Sequence, residues 1–102
     1  MSTYHLSIFT PYGKVFDGQV DALMAPGEMG SFGVLARHAP MVSALTNGVL
    51  KLRHDSQEKF FALNSGVLEV DGQHNVLVLS DNALAANNIE EAKEKTKSFN
   101  KN

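Results

Sequence analysis

Gly27-Glu28-Met29-Gly30-Ser31-Phe32-Gly33-Val34-Leu35-Ala36-Arg37-His38-Ala39-Pro40 sets three glycines at intervals of three, then a short apolar run, then His-Ala-Pro. Glycine accepts positive φ and lets another stretch of backbone come close. This spacing therefore predicts a loop folded back on itself, not a regular strand or helix, with residues 32–35 as its extended part. Proline at 40 biases Ala39 towards an extended conformation and fixes how the chain leaves the loop. The run is unlike the nucleotide-binding motifs it superficially matches. A dinucleotide fingerprint needs Gly-x-Gly-x-x-Gly between a strand and a helix, and a phosphate loop needs Gly-Lys-Ser/Thr opening a helix. Here Gly33 leads into Val34-Leu35, which reads as strand, and the Gly13-Lys14 pair is followed by Val15. The glycines are read as permitting a tight β-bend, and the loop as a surface available for contact.

On either side of this loop the chain alternates. Tyr4, Leu6 and Ile8 share one face of a strand that ends at Pro11, with His5, Ser7 and Phe9 on the other. Tyr12-Gly13 and Asp17-Gly18 read as turns around a short strand at 14–16, and residues 20–25 form a third strand stopped by Pro26-Gly27. Residues 41–45 fit a strand or a single helical turn. Leu50 and Leu52 alternate with Lys51 and Arg53, and further strands fall at 59–63, 67–70 and 76–79 between Asn47-Gly48, Asp55-Ser56-Gln57, Asn64-Ser65-Gly66 and Asp71-Gly72. Short strands at this spacing, with turn residues between them, predict an all-β sandwich or barrel. From Ala83 onward there is no proline or glycine, and residues 89–99 have helical chemistry. Asn88 can cap that helix, Glu90 and Glu91 suit its first turn, and Glu91 with Lys95 makes an i,i+4 pair. Its apolar stripe, Ile89, Ala92 and Phe99, is thin. The expected division is a sandwich over residues 1–84 and a short helical segment over 85–102.

At 102 residues the chain suits one core with a short appendage. The absence of cysteine removes disulfides, thiolate metal sites and cysteine nucleophiles. A net charge of −2 with spread basic residues gives no electrostatic footprint for nucleic acid. No apolar run approaches the roughly 20 residues of a membrane span, and residues 1–5 lack the basic and apolar regions of a signal peptide. Of the histidines, His5, His38, His54 and His74, none pairs with another at metal-ligand spacing. His54 and His74 lie at turns and read as solvated. His38 lies inside the glycine segment, and as a base it would need a partner to orient it. Serines 7, 31, 43, 65 and 80 lack a nucleophile signature. Nothing assembles a reaction centre.

Gly27-x-x-Gly30-x-x-Gly33-Val34-x-x-x-His38-Ala39-Pro40, the opening Tyr4-His5-Leu6, Phe16-x-Gly18-x-Val20 and Gly66-Val67-Leu68-Glu69-Val70 occur in one register. Together, over about residues 3–82, they resemble the ε subunit of the F-type ATP synthase. The resemblance implies a ten-stranded β-sandwich or flattened barrel followed by a short helix. It implies a subunit that is not itself catalytic, in the central stalk of the proton-transporting enzyme. Its partners are then the γ subunit and the membrane c-ring, with no cofactor and no metal. The place implied is the cytoplasmic face of the bacterial plasma membrane, reached only through the complex. Met29, Gly30, Ser31 and Phe32 resemble the segment that meets the c-ring. His38 and Ser43 resemble positions facing γ, and Gly27, Gly33, Pro40 and Gly66 take structural places in the loops.

The sequence departs from that pattern at several positions. Ser31 stands where an acidic residue is common, and Ser65 where a glycine often precedes Gly66. Typical members continue into two helices that can block hydrolysis and, in some, bind ATP through Ile-Asp-x-x-Arg-Ala. Here the matching stretch is Ile89-Glu90-Glu91-Ala92-Lys93-Glu94, with lysine for arginine and glutamate for alanine. Lysine lacks the planar fork that grips a phosphate, and the carboxylate repels one, so no ATP binding is expected. The sequence stops before a second helix, so little or no inhibitory hairpin is expected. A free-standing β-sandwich module for carbohydrate or peptide is the alternative, although such modules usually expose aromatics and this chain has no tryptophan and two tyrosines. A small β-barrel enzyme with His38 as base comes third, and requires a carboxylate or second histidine in reach of that ring.

Overall fold

Alternation in the first strand becomes burial. Tyr4, Leu6 and Ile8 of β1 (Tyr4–Thr10) are buried while His5 and Ser7 turn outward. The structure, a computed structural model, describes residues 2–99. Residue 1 and residues 100–102, the outer ends of the two expected segments, lie outside the described residues. After β1 come β2 (Gly13–Val20), β3 (Ala22–Gly27), β4 (Gly30–Leu35), β5 (Met41–Leu45) and β6 (Gly48–His54). Then follow β7 (Gln57–Leu63), β8 (Gly66–Val70), β9 (Val76–Ser80), β10 (Ala83–Ala86) and the helix α1 (Ile89–Ser98).

The ten strands run in the order β10-β7-β6-β3-β5-β8-β9-β1-β2, with β4 paired to β3 off that path. All pairings are antiparallel except β1 with β9. The sheet wraps one core to which every strand contributes, from Leu6 and Ile8 through Val34, Leu45, Leu52 and Leu63 to Ala83. Burying one such leucine is worth about 1.5–3 kcal/mol, and this core holds the strands together without disulfides.

At β3 the sheet changes direction. Along one edge β3 pairs first with β6, at residues 22–24, and then with β5, where Gly27 meets Leu45. Pro26 sits at this change of partner, where its carbonyl accepts from Thr46 N at 2.8 Å. Pro26-Gly27 therefore ends the strand from inside it, not before it. Asp17-Gly18 is corrected too: both residues lie within β2, paired in regular register with Ser7 and Leu6, and the irregularity of this pairing falls earlier, at Val15 opposite Ile8/Phe9. Gly18 has extended backbone there, and a β-carbon on it would make ordinary contact with the Phe16 ring at 3.4 Å. The glycine segment is also more regular than expected. Its residues 30–35 form β4, hydrogen-bonded along all of β3.

Residues 41–45 are strand, and β10 carries the sandwich to Ala86, beyond the expected change at 84/85. Helix α1 lies against β6, β7 and β10 through the fully buried Ala92. Asn88 Oδ1 accepts from Glu91 N at 2.8 Å, as a cap should. The expected Glu91–Lys95 pair is replaced by two other contacts. Glu91 accepts from Asn87 N, and Lys95 Nζ donates to Ala85 O at 2.7 Å, tying the helix to β10.

Candidate functional site

The β3–β4 hairpin turns at Glu28 and Met29, and each glycine there has its own task. Gly30 has φ +120° and opens β4. Gly27 is buried, and a β-carbon on it would lie 2.7 Å from Gly30 O and 2.8 Å from the Phe32 ring. Glu28 N donates to Ala44 O at 3.1 Å and fixes the hairpin base to β5. Met29 is left fully exposed, at 101 %. Of the four residues expected at the c-ring, Met29, Gly30 and Ser31 are exposed together at the tip, whereas Phe32 packs against the core.

His38 lies beyond the opposite end of β4. Six strand residues separate the two regions by about 17–20 Å. The turn after β4 places Arg37 at φ +65°, and His38 N donates to Leu35 O at 3.2 Å. The His38 ring engages its neighbour's carbonyl, with Nδ1 2.7 Å from Ala39 O. His74, at φ +66°, places Nδ1 3.2 Å from His38 O, so the β8–β9 turn holds this loop. That turn is built on Asp71, whose carboxylate accepts from Asn75 N and Gln73 N and is thereby held below its ordinary pKa. His74 reaches the backbone of His38, not its ring, so the partner a catalytic base requires is not supplied by it.

Ser43 shares its face of β5 with Met41 and the buried Leu45, whereas Val42 and Ala44 are the exposed residues on the other face. Strand register extends Ala44 into a row with Val67, Leu79 and Phe9 on the outer face of β5-β8-β9-β1. Val42 is 72 % exposed, and Val67 and Leu79 are about half exposed. This apolar row was missed in the sequence, although a signal was present. Val76-Leu77-Val78-Leu79 is apolar without alternation, the pattern of a strand covered on both faces.

Other polar groups serve the fold. His5, Ser7 and Lys14 surround Asp17, whose carboxyl the Lys14 ammonium holds below the usual value, His5 adding to the effect. His54 is not simply solvated: its Nδ1 is buried 3.8 Å from Asp21 Oδ1, and its Nε2 lies 3.2 Å from Asp55. Among the described residues no group of three histidines or carboxylates is arranged to hold a metal. Beside α1 a hollow of about 560 Å³ is lined by Met24, Pro26, Gly30, Ile89, Lys93 and Thr96. Glu94 pairs with Lys97 at 2.8 Å. No described helix is long and apolar enough to cross a membrane.

Residues 3–86 match the family described as ATP synthase, Delta/Epsilon chain, beta-sandwich domain. The chain belongs to this family. It is 42 % identical over 91 residues to the ATP synthase epsilon chain of Nitrosococcus oceani, covering 88 % of this chain and 64 % of that one. With the ATP synthase epsilon chain of Aliarcobacter butzleri it shares 41 % over 103 residues, covering 92 % of this chain and 82 % of the relative. The chain spans 64 % of the length of several of the epsilon chains it matches. A chain of the Euglena gracilis mitochondrial ATP synthase superposes with a TM-score of 0.80 at 19 % identity, covering 96 % of this chain and 62 % of that chain. One from the central stalk and c-ring of the Tetrahymena thermophila mitochondrial enzyme gives 0.71 at 16 % identity, covering 95 % and 90 %. At these identities the likeness is one of fold, and it is the ten-stranded sandwich predicted.

Proposed function

We propose that this chain is a rotor subunit of the F-type ATP synthase, joining the γ subunit to the membrane c-ring and coupling proton transport to ATP synthesis. The observation that carries this reading is the family match over residues 3–86 on a sandwich with two separate exposed surfaces. One surface is the hairpin tip of Met29, Gly30 and Ser31, which in this reading meets the polar loops of the ring, with Phe32 bracing it from below. Ser31 supplies hydroxyl hydrogen bonds there in place of a charge. The other surface is the His38 loop, with the outward residues beside Ser43 and the apolar row of Val67 and Leu79, and it faces γ. A close-packed core between them deforms little, so force applied at one surface reaches the other.

In this reading the chain carries no catalytic group and acts as one part of an enzyme complex. It reaches the cytoplasmic face of a bacterial plasma membrane only through its partners. Helix α1 holds no nucleotide, because Lys93 and Glu94 replace the residues that would grip a phosphate. The sandwich occupies residues up to 84–86, and α1 is an accessory element laid on it.

Co-purification with the γ subunit and c-ring of the same source tests the reading, using the unaltered chain, His38→Asp and Val67→Glu. The expected result is a stable complex that both substitutions weaken while the thermal transition is retained. A folded, unaltered chain that ignores both partners would favour the free-standing binding module instead.

A further inference from the structure

Among the described residues, two buried side-chain atoms make no hydrogen bond, Asp21 Oδ1 and His54 Nδ1, and they stand next to each other. Their separation of 3.8 Å is too long for a hydrogen bond. The Asp21 side chain is 8 % exposed, so this oxygen is not a solvated surface group. Its other oxygen, Oδ2, accepts from Asp55 N at 3.2 Å, and Asp21 N donates to Arg53 O at 2.7 Å. These bonds tie the junction between β2 and β3 to the turn between β6 and β7. On the far side of the imidazole, Nε2 lies 3.2 Å from Asp55 Oδ2. The ring therefore has a carboxylate at each nitrogen.

One protonation state suits that setting. A neutral imidazole carries one N–H and one lone pair, so one of the two carboxylates faces a lone pair, whereas an imidazolium donates from both nitrogens. The neighbouring groups leave both places to the ring. Gln57 stands across from His54 on β7, and Gln19 on β2 accepts from the Thr3 hydroxyl. Lys59 on β7 borders the same hollow, with its ammonium over the Phe16 ring at 5.6 Å, and opposes two carboxylates with one positive charge. Arg53 alternates to the opposite face of β6, with Glu58 across from it. Tyr4 feels the Asp21 charge, but its hydroxyl donates to Val34 O.

We propose that Asp21, His54 and Asp55 form a proton-operated clasp. The distances of 3.2 Å and 3.8 Å are those of its open state, in which Nε2 serves Asp55 and Nδ1 serves nothing. In mild acid the ring takes up a proton at Nδ1, that N–H closes on Asp21 Oδ1, and the β6–β7 turn is fastened to the start of β3. When the proton leaves, the clasp loosens. The turn is a segment that needs such a hold, because Asp55 and Ser56 stand at φ +52° and +65°, conformations that residues with a β-carbon adopt at a cost. Ala22 pairs with both Arg53 and Leu35, which puts the clasp at the end of the sandwich that carries the His38 loop. Proton concentration thereby sets how firmly that end is held, whatever partner it meets.

Urea unfolding of the full chain and of His54→Gln tests this at about pH 5 and about pH 8, the limits of the range over which an imidazole ordinarily changes charge. His5, His38 and His74 are common to both chains, so their protonation cancels from the difference. The protonated ring has both partners only in the folded chain, so its contribution is present in acid and lost as pH rises. His54→Gln should raise the unfolding equilibrium constant about fivefold more at the lower pH than at the higher. In an Asp21→Asn background, which keeps an oxygen for Asp55 N, that extra cost should vanish. Nuclear magnetic resonance of the unaltered chain should show a His54 Nδ1 proton at the lower pH, shielded from exchange by burial, and none at the higher. An equal cost of His54→Gln at the two pH values overturns the proposal. So does an extra cost that Asp21→Asn leaves intact, or an Nδ1 proton that never appears.

Discussion

Gly66→Ala separates two costs that glycine avoids. Gly66 opens β8 at φ +144°, and a β-carbon there would lie 2.0 Å from Leu79 O and 2.9 Å from Ser80 Cα. Both atoms belong to backbone of the paired strand β9, which cannot yield as a side chain would. The unfavourable φ costs about 1 kcal/mol. Displacing β9 adds about 1–3 kcal/mol. The shift also disturbs buried Ser80, whose hydroxyl reaches Ser65 O at 2.6 Å, for about 1 kcal/mol more. The sum, about 3–5 kcal/mol, is a large share of the roughly 5–15 kcal/mol that holds a domain folded. It corresponds to a fall in Tm of at least about 12 °C at this size. Two controls divide the effect. Gly13 has φ +128° with nothing within 4 Å of a β-carbon, so Gly13→Ala isolates the φ cost at about 1 kcal/mol. Gly72 has open space and no positive φ, so Gly72→Ala should stay within about 0.5 kcal/mol of the unaltered chain. Urea unfolding followed by circular dichroism measures all three. A Gly66→Ala loss no larger than that of Gly13→Ala would refute the backbone collision.

Three further outcomes follow from named contacts. Leu68→Ala, in the core, should cost about 2–5 kcal/mol by urea titration, and Leu79→Ala, half exposed on the outer row, under about 1 kcal/mol. The depressed Asp17 pKa gives stability that is present above the unfolded value of 3.8 and lost as pH falls through the lower folded one. Lys14→Met should therefore flatten the acid limb of a stability–pH curve, and an unchanged limb would contradict it. Tyr4 donates to Val34 O at 2.6 Å, and burial first, then the Asp21 charge, raises its phenol well above the ordinary 10. Its contribution is complete below pH 10 and lost as pH rises towards the folded value, so Tyr4→Phe should reduce the alkaline loss of Tm.

Much of the sandwich was legible because one face of most strands had to be buried. Tyr4, Leu6 and Ile8, or Leu50 and Leu52, alternate in sequence as they do in space. The misread segments are those where a turn residue lies inside a paired strand. Gly18 runs through β2 in regular pairing with Leu6, and Pro26 marks a change of strand partner within the last residues of β3, where local chemistry suggests a turn. β10 was hidden because Ala83-Leu84-Ala85-Ala86 has helical propensity and becomes strand only by pairing with β7. The glycine hairpin and the His38 loop were visible as unusual sequence. Their separation along β4 was not, since spacing in a loop carries no direction until the strand is placed. The apolar row of Ala44, Val67, Leu79 and Phe9 is a product of register between four strands, which no single segment encodes.

The chain contains no cysteine, so single introduced thiols are the only thiols it contributes. The most direct test of the central claim is to place Met29→Cys and His38→Cys separately in the assembled synthase and apply a short bifunctional cross-linker. A coupling subunit predicts that the Met29 position links to the c-ring and the His38 position to γ. Folded variants that enter the complex and link to neither, or a chain that never enters it, would contradict the account.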